Sequence, residues 1–309
     1  MIPDPALARL LDEIPCLAGQ PREVTPLPGG LTNHNYRVRT ATDDVVVRVS
    51  PPSTELLAVD RVSEHHNSVA AAQAGVGAPV IDYLPGRGVL VVGFLIARTY
   101  SEADVAANVP RISASLRRLH AGPPFAGRLN MFELQRRYRA LARDRGMRMP
   151  SGYDLLAPIA ERAEAAMTAY PEALVPCHND LLAANFLDDG HEVRIIDYEY
   201  SGMNEPAFEL GNLAQESGLS DGELAELVIA YYGAPDDRLL ARARTWRAIS
   251  GYGWTLWGVI QHAISGIDAD FWGWAVDKYE TAATLMTASG FDETLAAAAA
   301  PPSHERSRS

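Results

Sequence analysis

The stretch CHNDLLAANFL at residues 177–187, followed by RIIDYEYSGMNEPAFELGN at 194–212, decides the fold of this chain. Phosphoryl transfer needs one carboxylate that accepts the proton of an attacking hydroxyl, and an amide and a second carboxylate that hold Mg²⁺ on nucleotide phosphates. The stretch supplies these residue types in a fixed order: His178, Asp180, Asn185 and Asp197. The spacing therefore predicts a phosphoryl-transfer site.

The alternative interpretation of this stretch is two surface loops, because Asn and Asp are common turn residues. The flanking sequence argues against it. The apolar run at 193–196 ends at Asp197, as a buried strand does when it delivers a metal ligand. The second aspartate behind such a strand favours the phosphoryl-transfer site.

Composition bounds the class of protein. A chain of 309 residues is long enough for about two cores, and 47% apolar and 21% charged residues are ordinary for a globular protein. The net charge of −12 disfavours nucleic acid or an anionic membrane as the main partner and favours a cationic substrate.

The cysteines and the N-terminus favour a cytoplasmic location. Cys16 and Cys177 are the only cysteines, so no disulfide framework is expected and a reducing compartment fits. The N-terminus lacks the basic start and apolar core of a signal peptide. The longest apolar run, at 89–97, is far shorter than the ~20 residues of a membrane span, so no membrane insertion is expected.

The first 95 residues have the pattern of a small antiparallel sheet with one helix. Residues 22–50 alternate around a turn at Asp43–Asp44, and residues 59–74 are helical in pattern until glycines end them. Two further strands are expected at 80–84 and 89–96, around a Pro-Gly turn.

The rest of the chain is predominantly helical in pattern. Ile112, Leu116 and Leu119 have the i, i+4, i+7 spacing of one helical face. Residues 292–309, with AAAAAPPSHERSRS, are low in complexity and predict a disordered tail. The sequence thus predicts an α+β chain with an N-terminal lobe at 1–95, a C-terminal lobe at 96–291 and a tail at 292–309.

Three features of the N-terminal lobe are candidates for nucleotide binding. Gly30 and Asn33 lie in the turn GGLTN, where glycine lets backbone amides approach a polyphosphate and Asn tolerates a left-handed conformation, although an ordinary Gly-Gly turn has the same sequence. Arg48 ends a strand and Glu64 lies in the next helix, an order that in kinase-like folds pairs a phosphate-binding cation with a carboxylate. Phe94 and Leu95 close the lobe, where backbone groups usually hold adenine.

Tryptophans are concentrated near the C-terminus, with four of the five within 21 residues. Tryptophans at helical spacing usually form a core stripe. The alternative is an aromatic cage that encloses an ammonium group, with Glu216, Glu199 or Glu209 as a counter-charge. The candidate cage residues are Trp254, Trp257, Phe271 and Trp274.

Together these blocks resemble the choline/ethanolamine kinase family, within the aminoglycoside-phosphotransferase and protein-kinase-like superfamily. The resemblance covers residues 24–285. It rests on five blocks: GGLTNHNY, VVVRV, CHNDLLAAN, IDYEYSGMNEPAFELGNLAQES and WTLWGVIQHAIS. The last two are specific to the family. Two features differ from its pattern: Glu209 replaces a common aspartate, and residues 217–223 are polar where aromatics are frequent.

The resemblance implies a two-lobed kinase-like fold and a role for each matching residue. Asp180 would be the catalytic base, and Asn185 and Asp197 the Mg²⁺ ligands. Trp254, Trp257 and Trp274 would face the ammonium group, with Glu216 near it.

The activity implied is ATP-dependent phosphorylation of the hydroxyl of choline. The alternatives are the same chemistry on ethanolamine, thiamine or an aminoglycoside, and a catalytically silent pseudokinase that works by binding nucleotide. The pseudokinase is disfavoured because Asp180, Asn185 and Asp197 are all present.

Overall fold

The computed structural model describes residues 4–28, 30–51 and 56–302. Its N-terminal part is a five-stranded antiparallel sheet in the order β1-β2-β3-β5-β4. Its strands are β1 (Glu23–Leu27), β2 (His34–Arg39), β3 (Asp44–Val49), β4 (Val80–Leu84) and β5 (Val89–Gly93).

The period-two alternation of β3 separates its side chains between the two faces of the sheet. Val45 and Val47 point into a small apolar core. Arg48 points to the opposite face, yet only 8% of it is exposed. A charged side chain that is buried on a sheet face must be paired, so the alternation already places Arg48 in a polar cluster at the cleft.

Two helices accompany this sheet, one more than the sequence pattern predicted. α1 (Pro5–Asp12) begins after the capping residue Asp4 and covers the apolar face of the sheet with Leu11. α2 (Arg61–Gln73) begins at the cap Asp60.

α2 fastens the sheet to the helical part through a buried asparagine. The Nδ2 of Asn67 donates to the main-chain oxygens of Ala126 and Ser201, at 3.2 and 3.0 Å. The residues that α2 presents to the cleft are therefore held against the second half of the chain.

The second half is mainly helical and contains five short strands. The strands are β6 (Arg98–Thr99), β7 (Val175–Cys177), β8 (Phe186–Asp188), β9 (Val193–Ile195) and β10 (Gly202–Asn204). The helices are α3 (Glu102–Ala107), α4 (Val109–His120), α5 (Met131–Asp144), α6 (Ala157–Ala169), α7 (Pro206–Glu216), α8 (Asp221–Tyr232), α9 (Asp237–Ile264), α10 (Phe271–Met286) and α11 (Phe291–Ala298).

α9 is the central element of this half, and α5, α7, α10 and α11 pack on it. Gly211 of α7 allows a close approach to α9, because a Cβ there would lie 2.5 Å from the main-chain oxygen of Ala243. The described part of the chain has no helix with the length and apolarity to span a membrane.

The prediction of a disordered tail from residue 292 is wrong for residues 292–298. They belong to α11, where Phe291, Leu295 and Ala298 are buried. These three residues are spaced i, i+4 and i+7, so they form one apolar face that packs on α6 and α9. Alanine-rich sequence with two large apolar anchors thus folds as a helix. Residues 303–309 lie outside the described residues.

Candidate active site

The predicted catalytic stretch forms a loop after β7, and a buried carboxylate holds it. The main-chain N–H groups of His178 and Asn179 donate to the two oxygens of Glu209, at 2.6 and 3.0 Å. Asn179 has a φ of +68°, and its side chain donates to the main-chain oxygen of Tyr200 at 3.0 Å. These bonds hold the next residue, Asp180, in one position.

Glu209 is fully buried, and its partners keep it ionised. Burial alone would raise the pKa of its carboxyl, but His120 and the amide of Asn179 outweigh burial and hold the pKa below the ordinary value. Glu209 is therefore a support for the loop. Glu209 was also a candidate counter-charge for the ammonium group, and the structure places it under the loop instead.

His178 has one tautomer that satisfies its contacts. Its Nε2 lies 2.8 Å from the main-chain oxygen of Ile196 and must donate, while its Nδ1 accepts the N–H of Asp180. Burial lowers the pKa of His178, so the ring is neutral. The histidine positions the loop and is not a candidate proton carrier.

Asp180, Asn185 and Asp197 line one cavity. The Nδ2 of Asn185 donates to the main-chain oxygen of Asp180 at 2.9 Å, which leaves its Oδ1 available as a ligand. Asp197 follows β9 with a φ of +74°. An amide oxygen and a carboxylate are hard oxygen donors of the kind Mg²⁺ takes, so the residues present fit that ion.

Asp180 is in strongly acidic surroundings. Burial raises the pKa of its carboxyl well above the ordinary value, and the carboxylates of Glu216, Asp197 and Glu199 raise it further. Lys278 acts in the opposite direction. A base in this position gains proton affinity, which suits the acceptance of a hydroxyl proton.

Arg48 and Glu64, predicted as partners from two separate elements, lie 3.0 Å apart. Arg48 also contacts Asp197 at 2.6 Å and Glu199 at 2.9 Å. Burial by itself would lower the pKa of the Arg48 guanidinium, but the carboxylates of Asp197, Glu64 and Glu199 outweigh burial and raise it. Arg48 is therefore charged and joins the sheet to the loop that carries Asp197.

The cluster around Arg48 continues to the glycine turn. Arg61 contacts Glu64 at 2.6 Å and Glu199 at 3.3 Å, and donates to Asn33 at 3.1 Å. Asn33 in turn donates to Glu199 at 3.0 Å. We call Arg48, Glu64, Arg61, Glu199 and Asn33 the charge network.

Glu199 was also a candidate counter-charge for an ammonium group, and it lines the same cavity as Asp180. Its two arginine partners in the charge network already offset its charge.

The glycine turn also reaches the helical part of the chain. A Cβ on Gly30 would lie 2.4 Å from the main-chain oxygen of Asn33, so only glycine fits. The next residue, Leu31, accepts a hydrogen bond from Gln261 of α9 at 2.8 Å and lines the cavity with Thr32. Gly29 lies outside the described residues.

Phe94 and Leu95 differ in what they can offer to a nucleotide base. The N–H of Phe94 already donates to the main-chain oxygen of Asp44 at 3.0 Å, and Arg37 lies 3.6 Å over its ring centroid. The main-chain groups of Leu95 have no hydrogen-bond partner within the described residues. Leu95 is thus the better of the two candidates.

Three of the four predicted cage residues meet. Trp254, Trp257 and Trp274 line the same cavity as Asp180, and we call it the tryptophan cavity. It encloses about 60 Å³. Phe271 does not line it, because its ring packs behind Trp257 with the ring centroids 5.8 Å apart.

A tyrosine that the sequence analysis missed orders these rings. The Nε1 of Trp257 donates to the hydroxyl of Tyr200 at 2.8 Å, and the Tyr200 ring meets Trp254 edge-on at 4.9 Å. Tyr200 also lines the cavity. Its place three residues after Asp197, on the same loop, was the available signal.

Glu216 lines the tryptophan cavity, as predicted. It has an ion-pair partner that the sequence did not predict. Its Oε2 lies 2.6 Å from the Nζ of Lys278, which comes from α10. Its Oε1 is buried and has no hydrogen-bond partner within the described residues. The signal for Lys278 was its spacing, four residues after Trp274, which places both on one helical face.

Known proteins with similar sequence or structure bear on this site. The phosphotransferase enzyme family matches residues 23–248. Protein LicA of Haemophilus influenzae is 29% identical over 212 residues, which cover 66% of this chain and 61% of that protein. Probable choline kinase 1 of Arabidopsis thaliana is 26% identical, over 84% of this chain and 85% of that one.

A solved structure extends the likeness to nearly the whole chain. A choline/ethanolamine kinase family protein from Mesorhizobium loti is 32% identical, with a TM-score of 0.83 over 95% of this chain and 98% of that chain. The predicted fold class and the predicted family resemblance are confirmed.

Proposed function

The chain belongs to the phosphotransferase enzyme family, and we propose that it transfers the γ-phosphate of ATP to the hydroxyl of choline. One observation carries this proposal. Asp180 lines a small cavity together with three tryptophan rings and two buried carboxylates, Glu216 and Glu199, and the arginines of the charge network offset the charge of Glu199. Ring faces attract a quaternary ammonium group by ~0.5–2 kcal/mol each, and a carboxylate complements its charge.

Each part of the site has a role in this reaction. Asp180 would accept the proton of the choline hydroxyl as its oxygen attacks the phosphorus in line. Asn185 and Asp197 would hold Mg²⁺, which supplies charge neutralisation at the phosphates. Arg48 would place a fixed positive charge at the same side of the cleft, and Glu64 and Glu199 hold that guanidinium in position.

Two features of the cavity support a small, singly charged acceptor rather than an aminoglycoside. Its volume is small, about 60 Å³. Of the four carboxylates that line the cavity, Asp197 and Glu199 are paired with arginines and Glu216 with Lys278, so a polycation would not be matched.

Ethanolamine is a second candidate, and the free oxygen of Glu216 favours it. Oε1 is a buried acceptor without a partner within the described residues, and it costs free energy unless an N–H reaches it. A primary ammonium can donate to this oxygen, whereas a trimethylammonium can only contact it. The rings therefore favour choline and this oxygen favours ethanolamine.

A coupled ADP-release assay with Mg-ATP, run on choline, ethanolamine, thiamine and an aminoglycoside, tests the proposal. Product identity is checked by mass spectrometry, and Asp180→Asn is the background control. We expect the highest kcat/KM with choline. A higher value with ethanolamine would replace choline by the second candidate, and no turnover above the control on any acceptor would overturn the proposal. The proposal includes a cytoplasmic location.

A further inference from the structure

Lys278 is the only lysine in the chain. Of the 27 lysines and arginines, the other 26 are arginine. This one lysine is buried: only 11% of its side chain is exposed, and its ammonium group contacts Glu216, of whose side chain 1% is exposed. A chain that uses arginine everywhere else thus places its one compact ammonium beside the tryptophan cavity.

The position of this ammonium is close to where an acceptor cation would bind. Its Nζ lies 2.6 Å from the Oε2 of Glu216 and 5.1 Å from the ring centroid of Trp274. Both partners line the tryptophan cavity. Lys278 therefore shares the carboxylate and one ring with any cation that enters.

The charges near the acceptor can be counted. On the nucleotide side, Arg48 and Arg61 face the carboxylates Glu64, Glu199 and Asp197, which leaves one negative charge for the metal. Asp197 and Glu199 also line the cavity but are paired with the arginines already counted. The remaining groups on the acceptor side are Asp180 and Glu216, with two formal negative charges, and Lys278, with one positive charge. The acceptor side thus has a net charge of −1, which one positive charge neutralises.

We propose that Lys278 is a specificity-determining residue that limits the acceptor to a single positive charge. It offsets Glu216, so that the tryptophan cavity attracts a monocation and gains nothing further from a second charge. This inference rests on the proposed function. It goes beyond it because it assigns the acceptor's charge to a residue that does not itself line the cavity.

The chemistry of lysine suits this place. An ammonium is a compact point charge with three donors, whereas a guanidinium is a planar fork that needs more room. Burial of an unpaired charge is costly, so Lys278 and Glu216 need each other. Glu216 keeps its second oxygen free for the acceptor because Lys278 occupies the first.

The test compares two ligands of nearly the same shape that differ in charge: choline and its uncharged isostere 3,3-dimethyl-1-butanol. Their dissociation constants are measured by calorimetry for the wild type, Glu216→Gln, the double variant Glu216→Gln/Lys278→Met, and Lys278→Arg. Turnover of choline is followed in parallel. Binding judges the role of Lys278, and turnover judges the proposed function, so the two can fail separately.

We expect Glu216→Gln to lower the preference for choline over the isostere by at least ~10-fold, because Lys278 then repels the cation without a counter-charge. Removal of that charge in the double variant should restore the preference to within ~3-fold of the wild type. Lys278→Arg keeps the charge and should keep the preference.

A double variant that stays as unselective as Glu216→Gln would overturn the inference, as would an unchanged preference in Glu216→Gln. Glu205→Gln is the matched control, because Glu205 is a buried carboxylate that pairs with Arg242 outside the cavity. It should change the melting temperature and leave the choline preference unchanged. A shift of that preference in the control as large as in Glu216→Gln would also overturn the inference.

Discussion

The charge network and the tryptophan cavity both bury charged groups beside Asp180, but they satisfy them differently. In the network Arg48 contacts three carboxylates, and Glu199 has three partners. In the cavity Glu216 has one partner, and the Oε1 of Glu216 and the Nε1 of Trp254 have none within the described residues. Every charged side chain of the network is paired with at least one opposite charge, and its atoms without a hydrogen-bond partner within the described residues include the Nε atoms of Arg48 and Arg61. The cavity differs because its unpartnered atoms lie among the groups that would contact an acceptor.

This difference indicates how each region would respond to change. A multiply paired charge cannot be removed without leaving other buried charges unpaired, so we expect loss of stability and function together on the network side. Polar groups without a protein partner contribute less to folding stability. We therefore expect substitutions in the cavity to change mainly the binding and turnover of the acceptor.

Asp180 lies where the two regions meet, and its loss should have the largest effect on turnover. Asp180→Asn should lower kcat by at least ~10²-fold, because the hydroxyl loses its general base. ATP affinity should change little, since the network does not depend on this carboxylate. Steady-state kinetics and nucleotide titration check both parts. The control is Asp189→Asn, which lies on the β8–β9 turn, and near-wild-type turnover in Asp180→Asn would exclude the assigned role.

Arg48→Ala tests the network. It leaves the buried Glu64 and Glu199 and the half-buried Asp197 without their shared cation, so we expect a loss of ~3–5 kcal/mol in unfolding free energy, a higher KM for ATP and a lower kcat. The KM for the acceptor should stay near the wild-type value. Arg48→Lys should be intermediate, because one ammonium cannot span three carboxylates. Urea unfolding measures the stability of each variant, and steady-state kinetics on ATP and on the acceptor measure the two KM values. Unchanged ATP kinetics in Arg48→Ala would refute the role of Arg48 in nucleotide binding.

Trp257→Ala tests the cavity. We expect a loss of ~1–3 kcal/mol in kcat/KM for choline, from lost cation–π attraction and lost apolar contact, and a smaller loss for ethanolamine. Because Trp257 also packs on Phe271 and bonds to Tyr200, the melting temperature should fall somewhat. Tyr200→Phe removes the hydroxyl that accepts this hydrogen bond, keeps the ring, and serves as the control. Equal losses on both acceptors with a large drop in stability would assign Trp257 to the core.

A partly exposed ion pair outside the cleft gives the smallest expected effect. It provides a scale for the effects expected in the charge network and in the tryptophan cavity. Asp188 accepts two bonds from Arg111, and these and the bond from Gly190 hold its pKa below the ordinary value against burial. A lowered pKa contributes stability above the unfolded value of ~3.9, which is lost as the pH falls.

Asp188→Asn should therefore cost ~1 kcal/mol at pH 7, and the difference from the wild type should shrink towards pH 3. Thermal unfolding of both proteins across this range measures it. A difference that does not depend on pH would mean that Asp188 acts through packing alone.

Much of the fold and part of the site could be predicted from the sequence. The alternation of β3 and the helical pattern of α2 were local, and they placed Arg48 and Glu64 on neighbouring elements before their 3.0 Å contact was known. The error at residues 292–298 has a physical reason. The prediction of disorder rested on the many alanines in this segment. The stability of α11 comes instead from the burial of Phe291 and Leu295 against other helices, and no local sequence pattern identifies those helices.

The sequence by itself determined which residue types are present and in what order. Spacing along one element, as in HxDxxxxN or in the tryptophans of α9, fixes which side chains share a loop or a helical face. Only the tertiary structure decided which elements meet. It turned Phe271 away from the cavity and placed Glu209 under the loop after β7. It also brought Lys278 from α10 to Glu216 on α7, since contacts between residues far apart in the chain depend on how helices pack and leave no periodicity in the sequence.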